Sequence, residues 1–246
     1  MLVDPKYSVN WPGLLAQVRT VTDKPITHVI YTHSHPDHAG SIICLPESVE
    51  VIVQANTAAN IEKLKSVLNP SNAQFRPMRT YTDRLTLFSG EDEIDLYHFG
   101  PAHTNGDTFV VFRAAGVMHA GDVFPGKQAP IIDSSDGGNG ATYAETLDKA
   151  ISGIHGVQRV ITGHSQVFSW GDFIEFRDFY KVLLEHARAN LSRSGRDKIR
   201  AFHELILPAK FKSYKLDQAV ATMDEIYWTI QPRFRWLLAH ITGLWE

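Results

Sequence analysis

A chain of 246 residues is long enough to bury the core of one layered α/β domain. Its 43% hydrophobic and 21% charged residues exclude a disordered chain, and a formal net charge of −3 argues against a nucleic-acid grip, which needs a basic face. A single cysteine, Cys44, excludes a disulfide within the chain, and no apolar run reaches the ~20 residues that cross a bilayer.

Residues Met1–Asn10 do not read as a basic, then apolar, signal segment, and the compartment stays open. Pro12 followed by Leu14, Leu15, Val18 and Val21 predicts a short amphipathic helix with proline near its first turn. The apolar run Val29-Ile30-Tyr31 predicts a strand, and Thr32-His33-Ser34-His35-Pro36-Asp37-His38 follows it directly. A side-chain period of two points His33 and His35 the same way, and Pro36 ends regular pairing, leaving Asp37 and His38 on the turn beyond. Two imidazoles therefore aim at one point, with a carboxylate and a third imidazole at a neighbouring one. Imidazole and carboxylate suit zinc, and also iron or manganese.

Farther along, Val49–Val53 reads as a strand and Asn56–Leu68 as a helix with Ile61, Leu64 and Leu68 on one face, stopped by Asn69-Pro70. Arg84–Phe88 and Glu93–Phe99 alternate as antiparallel strands, and Thr108–Phe112 and Val117–Ala120 form two more around Ala114-Ala115-Gly116. Val123–Gly140 is a long loop of the kind that carries function. Thr142-x-x-Glu145 predicts a capping box before a helix with Leu147, Ile151 and Ile154, and Arg159–Thr162 is a strand leading to His164. From about residue 172 the pattern is mostly helical, with stretches Asp172–Leu191 and Leu216–Ile230 and an aromatic tail, Phe234–Trp245. No internal repeat marks a second domain, so one domain over 1–246 is expected.

The His-x-His-x-Asp-His stretch resembles the signature of the metallo-β-lactamase superfamily. That resemblance is extended by Pro101-Ala102-His103-Thr104-Asn105-Gly106-Asp107, by Val117-Met118-His119-Ala120-Gly121-Asp122 and by Val160-Ile161-Thr162-Gly163-His164. It implies a four-layer αββα sandwich with the metal site at one edge. It also implies two divalent ions, zinc foremost. His33, His35 and His103 would hold the first ion, Asp37, His38 and His164 the second, and Asp122 would bridge them. Two ions about 3.5–4 Å apart share a hydroxide and bring its pKa toward neutrality. Asp37 would then hold that nucleophile and pass a proton to the leaving group. Asp4, Thr32, Ser34, Thr104 and Asp107 are candidates to orient the imidazoles. The remaining histidines, His119 among them although it lies three residues before Asp122, and Cys44, expected as a small buried hydrophobe, are given no role at the metals.

In the family, Met1-Leu2-Val3-Asp4 would be the end of an early strand that one or two others precede. The expectation is a sheet edge covered by a second copy or by the aromatic tail. An aspartate at 122 resembles glyoxalase II and lactonases rather than the β-lactamases with cysteine there. The implied activity is hydrolysis of an ester, thioester, lactone or amide of a small molecule. The alternatives are an iron-dependent sulfur dioxygenase of the same fold, for which Asp37, His38 and His164 are superfluous, and a non-catalytic member.

Overall fold

The computed structural model describes residues 1–68, 78–193 and 204–231. Strands β1 (Leu2–Val3), β2 (His28–Ile30), β3 (Glu50–Gln54) and β4 (Met78–Tyr81) form a parallel sheet in the order β1-β2-β3-β4, with β1 an outer strand. Strands β5 (Arg84–Leu87), β6 (Ile94–Tyr97), β7 (Phe109–Phe112), β8 (Val117–His119), β9 (Arg159–Ile161) and β10 (Phe168–Ser169) form the second sheet, in the order β10-β9-β8-β7-β6-β5. Its pairs are antiparallel except β8 with β9, which is parallel.

Alternation along the strands divides the core into three layers. Ile30, Ile52, Leu87, Ile94, Leu96 and Val110 pack between the sheets. Their neighbours Val29, Tyr31, Val51 and Val53 face outward with Trp11 and Ile61, carried by helices α1 (Trp11–Val21) and α3 (Ala55–Leu68). On the other side Phe109, Val111, Met118 and Val160 meet Leu147, Phe173, Phe176, Tyr180 and Ile226. These come from helices α4 (Tyr143–Gly153), α5 (Trp170–Ala189) and α6 (Ala219–Ile230). The expected αββα sandwich is what folds. Each large side chain buried in those layers contributes on the order of 2 kcal/mol.

Several local expectations change. Pro36 does more than end pairing: it opens the short helix α2 (Pro36–Ala39), because a proline's fixed φ suits a first helical turn. The Thr142–Glu145 capping box does not form, since Thr142 is already in αR geometry and its hydroxyl donates instead to the Pro101 carbonyl. A capping box does form at α5, where Ser169 and Asp172 exchange hydrogen bonds. Strand β4 had no sequence signal, because Met78-Arg79-Thr80 is largely exposed and only Tyr81 is buried. Leu64 and Leu68, the Asn69-Pro70 stop and the aromatic tail lie outside the described side chains.

One polar cluster sits inside the second sheet. Asp95 on β6 is fully buried, and its carboxylate accepts from Arg84 and Thr86 on β5, from Tyr97 on its own strand and from Arg113 just after β7.

Candidate metal centre

The sandwich gathers its chemistry at one edge. His33, His35, Asp37 and His38 follow β2, His103 lies on the β6–β7 connection, Asp122 follows β8 and His164 follows β9. Ligand atoms of His33, His35, His103 and Asp122 lie within 4.8 Å of one another, as do those of Asp37, His38, Asp122 and His164. Asp122 belongs to both groups: Oδ2 is 3.7 Å from His103 Nε2 and 3.3 Å from His164 Nε2, and Oδ1 is 3.4 Å from His38 Nε2. Gly163 makes this approach possible, because a Cβ there would overlap the Asp122 carboxylate.

Hydrogen bonds behind the rings decide which nitrogen faces the centre. His103 Nδ1 donates to the Ile131 carbonyl at 2.9 Å, an acceptor only, so its Nε2 is bare in the neutral ring. His35 Nε2 donates to Asp133 at 2.7 Å, which leaves Nδ1 bare. The Thr32 hydroxyl gives its proton to Asp4 at 2.6 Å and so accepts from His33 Nδ1, leaving His33 Nε2 bare. His38 Nδ1 donates to Asp4 at 2.8 Å, leaving Nε2 inward. The consequences are visible: His103 Nε2 faces His35 Nδ1 at 3.1 Å and His38 Nε2 faces His164 Nε2 at 3.2 Å. His33 Nε2 is buried without a hydrogen-bond partner. Lone pairs aimed at each other repel unless a cation or proton lies between them. This donor set fits a divalent ion in each group.

Charge agrees with that fit. Burial would raise Asp122, but hydrogen bonds from His164 and His38 and the neighbouring imidazoles hold it far below the usual carboxylate range. Asp133 is held far below it chiefly by its hydrogen bond to His35. His33 lies well below an ordinary histidine, through burial first and then the adjacent rings, which keeps it neutral. For His38 burial is outweighed by Asp122 and Asp4, and the ring is pushed up to about 10.

Of the residues expected to orient imidazoles, Asp4 and Thr32 do so. Ser34 instead donates to Asp136 at 2.5 Å, and Thr104 and Asp107 bond each other. The stronger support comes from the long loop, unassigned in detail by the sequence: Ile131 and Asp133 each hold a ring, and Asp136 receives Ser34. The spaced acids Asp133 and Asp136 were the available signal. His119 stays outside both groups, its Nδ1 accepting from Gly121 N–H. Cys44 is half-buried rather than buried, beside the Ser8 carbonyl. A cleft of about 490 Å³ opens beside the centre, with Asp37, His38 and His164 in its wall.

A family profile, the metallo-beta-lactamase superfamily, matches residues 1–164. The 2,4-dinitroanisole O-demethylase subunit alpha of Nocardioides sp. is 30% identical over 129 residues, 49% of this chain and 38% of its own length. The linear primary-alkylsulfatase of Pseudomonas sp. is 29% identical over 120 residues, 45% of this chain and 22% of its own. The chain thus spans well under half the length of these two curated relatives. Among solved structures, the stereoselective inverting sec-alkylsulfatase Pisa1 from Pseudomonas sp. superposes with a TM-score of 0.73 over 94% of this chain and 45% of its own, at 13% identity. The DIM-1 metallo-beta-lactamase superposes with 0.57 over 73% and 80%, at 16% identity. These two likenesses are of fold. With the profile spanning two thirds of its length on that shared fold, the chain belongs to the metallo-beta-lactamase superfamily.

Proposed function

We propose that the chain is a metal-dependent hydrolase with a binuclear centre, zinc being the ion its donors suit best. The observation that carries this is the set of bare imidazole nitrogens of His33, His35, His38 and His103, directed inward by hydrogen bonds behind those four rings. His33, His35 and His103 would hold one ion and Asp37, His38 and His164 the other, with Asp122 common to both groups. When bound, such a pair supplies a water acidified toward neutral pH and polarises the group under attack. Asp4, Asp133 and the Ile131 carbonyl keep the rings in register with it. Asp37, whose Oδ2 is 2.9 Å from His164 Nε2, holds the attacking water's proton and delivers it to the leaving group.

The substrate is a small molecule with an ester, thioester, lactone or amide bond. A second reading, a sulfate ester or an aryl ether, is favoured by the two curated matches to an alkylsulfatase and an O-demethylase. A sulfur dioxygenase would leave Asp37, His38 and His164 without a task. The test is metal content after dialysis against zinc, together with hydrolysis across ester, lactone and sulfate-ester panels. Two ions per chain with turnover are expected, and Asp122→Ala should lose both together. A folded wild-type chain that retains no ion would overturn the reading.

A further inference from the structure

The segment after β1 carries strain that the metal centre does not account for. Asp4 has φ +49° and Lys6 φ +67°, a left-handed region that side chains other than glycine rarely enter. For Asp4 the cost is repaid at the centre, where its carboxylate holds Thr32 and His38. Lys6 contributes a backbone contact, its carbonyl accepting from Ser41 N–H at 2.9 Å. A glycine would make that contact without strain. The side chain itself is exposed and makes no ion pair among the described residues.

Lys6 lines the cleft of about 490 Å³ whose wall holds Asp37, His38 and His164. That volume falls in the range of small-molecule sites. Among the lining residues Lys6 is the one lysine or arginine, and Leu2, Val3, Pro5, Tyr7 and Leu14 give the cleft an apolar side. The pinned backbone thus keeps Lys6 in the lining of a half-apolar cleft, the one fixed positive charge there against the carboxylates of Asp4 and Asp37, with the second ion's candidate ligands in the same wall.

We propose that Lys6 is a specificity residue: it receives a single anionic group, carboxylate or sulfate-like, of a substrate whose apolar part lies along Tyr7 and Leu14. The assignment rests on this cleft serving the proposed hydrolase. It narrows the substrate class to monoanionic, partly apolar molecules.

The zinc-loaded full chain tests this with two esters sharing one leaving group, neutral 4-nitrophenyl acetate and monoanionic 4-nitrophenyl hydrogen succinate. Lys6→Gln should raise the KM for the anionic ester about tenfold relative to the neutral one, and Lys6→Arg should restore the ratio. Lys6→Gly should raise the melting temperature, by relieving the strain, while losing the same preference. Calorimetric titration with hexanesulfonate, which cannot be hydrolysed, reads the same contact without catalysis, and hexanoate compares carboxylate with sulfonate. Weaker binding of both anions in Lys6→Gln supports the anion contact even if neither ester turns over, an outcome that narrows the hydrolase's bond type and leaves the contact standing. Equal binding and equal KM ratios in wild type and Lys6→Gln overturn it.

Discussion

At the scale of single residues, the centre depends on groups that fix protons as much as on groups that face inward. Asp133 holds His35 in the tautomer whose Nδ1 is bare, and is itself fixed by Ser135 N–H at 2.9 Å. Asp133→Ala should lower zinc affinity by roughly 10–100-fold with the fold intact, as loss of such a partner generally does. Competition with a chromophoric chelator measures it, and unchanged affinity would mean that packing alone holds the ring. Asp37 has a different task. Asp37→Asn keeps a donor oxygen but cannot relay a proton, so kcat should fall by on the order of 10²–10⁴ while circular dichroism stays native. Full activity in that variant would assign the proton to another group.

At the scale of elements, strand ends place the ligands and polar contacts lock the strands. The Asp95 cluster ties β5, β6 and β7 together through a carboxylate with no solvent exposure. Burial alone would raise its pKa, and the hydrogen bonds and charges of Thr86, Arg84 and Arg113 bring it below 3.8. The folded value is depressed, so the contribution is present above the unfolded value and is lost as pH falls through the folded one. Asp95→Asn should cost on the order of 2–3 kcal/mol at neutral pH, because two guanidinium groups lose their buried partner. Denaturant unfolding should also show a flatter decline below pH 4 in the variant than in wild type. Parallel declines would mean that Asp95 contributes nothing to acid sensitivity.

At the scale of the whole molecule, the C-terminal helices reach the centre through the long loop. The Tyr180 hydroxyl donates to the Gly140 carbonyl at 2.7 Å, Thr222 to the Pro130 carbonyl at 2.5 Å, and Ala141 N–H to Thr229 at 3.0 Å. Between those anchors lie Ile131 and Asp133, which orient His103 and His35. Residues beyond the profile match at 164 are thereby coupled to the metal site, and no helix among the described residues is long and apolar enough to cross a membrane. One domain over 1–246 predicts a single unfolding transition, with tryptophan fluorescence and far-UV circular dichroism coincident. Zinc at about 1,000 times its Kd should stabilise that transition by roughly 4 kcal/mol, and a chelator should reverse the gain. Two separated transitions, with only one responding to zinc, would divide the chain into two units.

The amino-acid sequence by itself determined the buried strands and the candidate ligands, and its resemblance to the family implied the layers. Apolar runs such as Val29-Ile30-Tyr31 and Val49–Val53 mark strands buried on both faces, and the dense His-x-His-x-Asp-His stretch is local, so its geometry follows from a strand end and a turn. Only the tertiary structure decided what stands behind the ligands. Asp133 and Ile131 meet His35 and His103 across 98 and 28 residues of chain, contacts that no local period encodes. The cap at α4 failed because Thr142 sits in αR geometry, its hydroxyl drawn to the Pro101 carbonyl 41 residues away, a contact that no local pattern encodes. Lys6 shows the limit most clearly, since its left-handed backbone accompanies a contact with Ser41, 35 residues away, that no local pattern encodes.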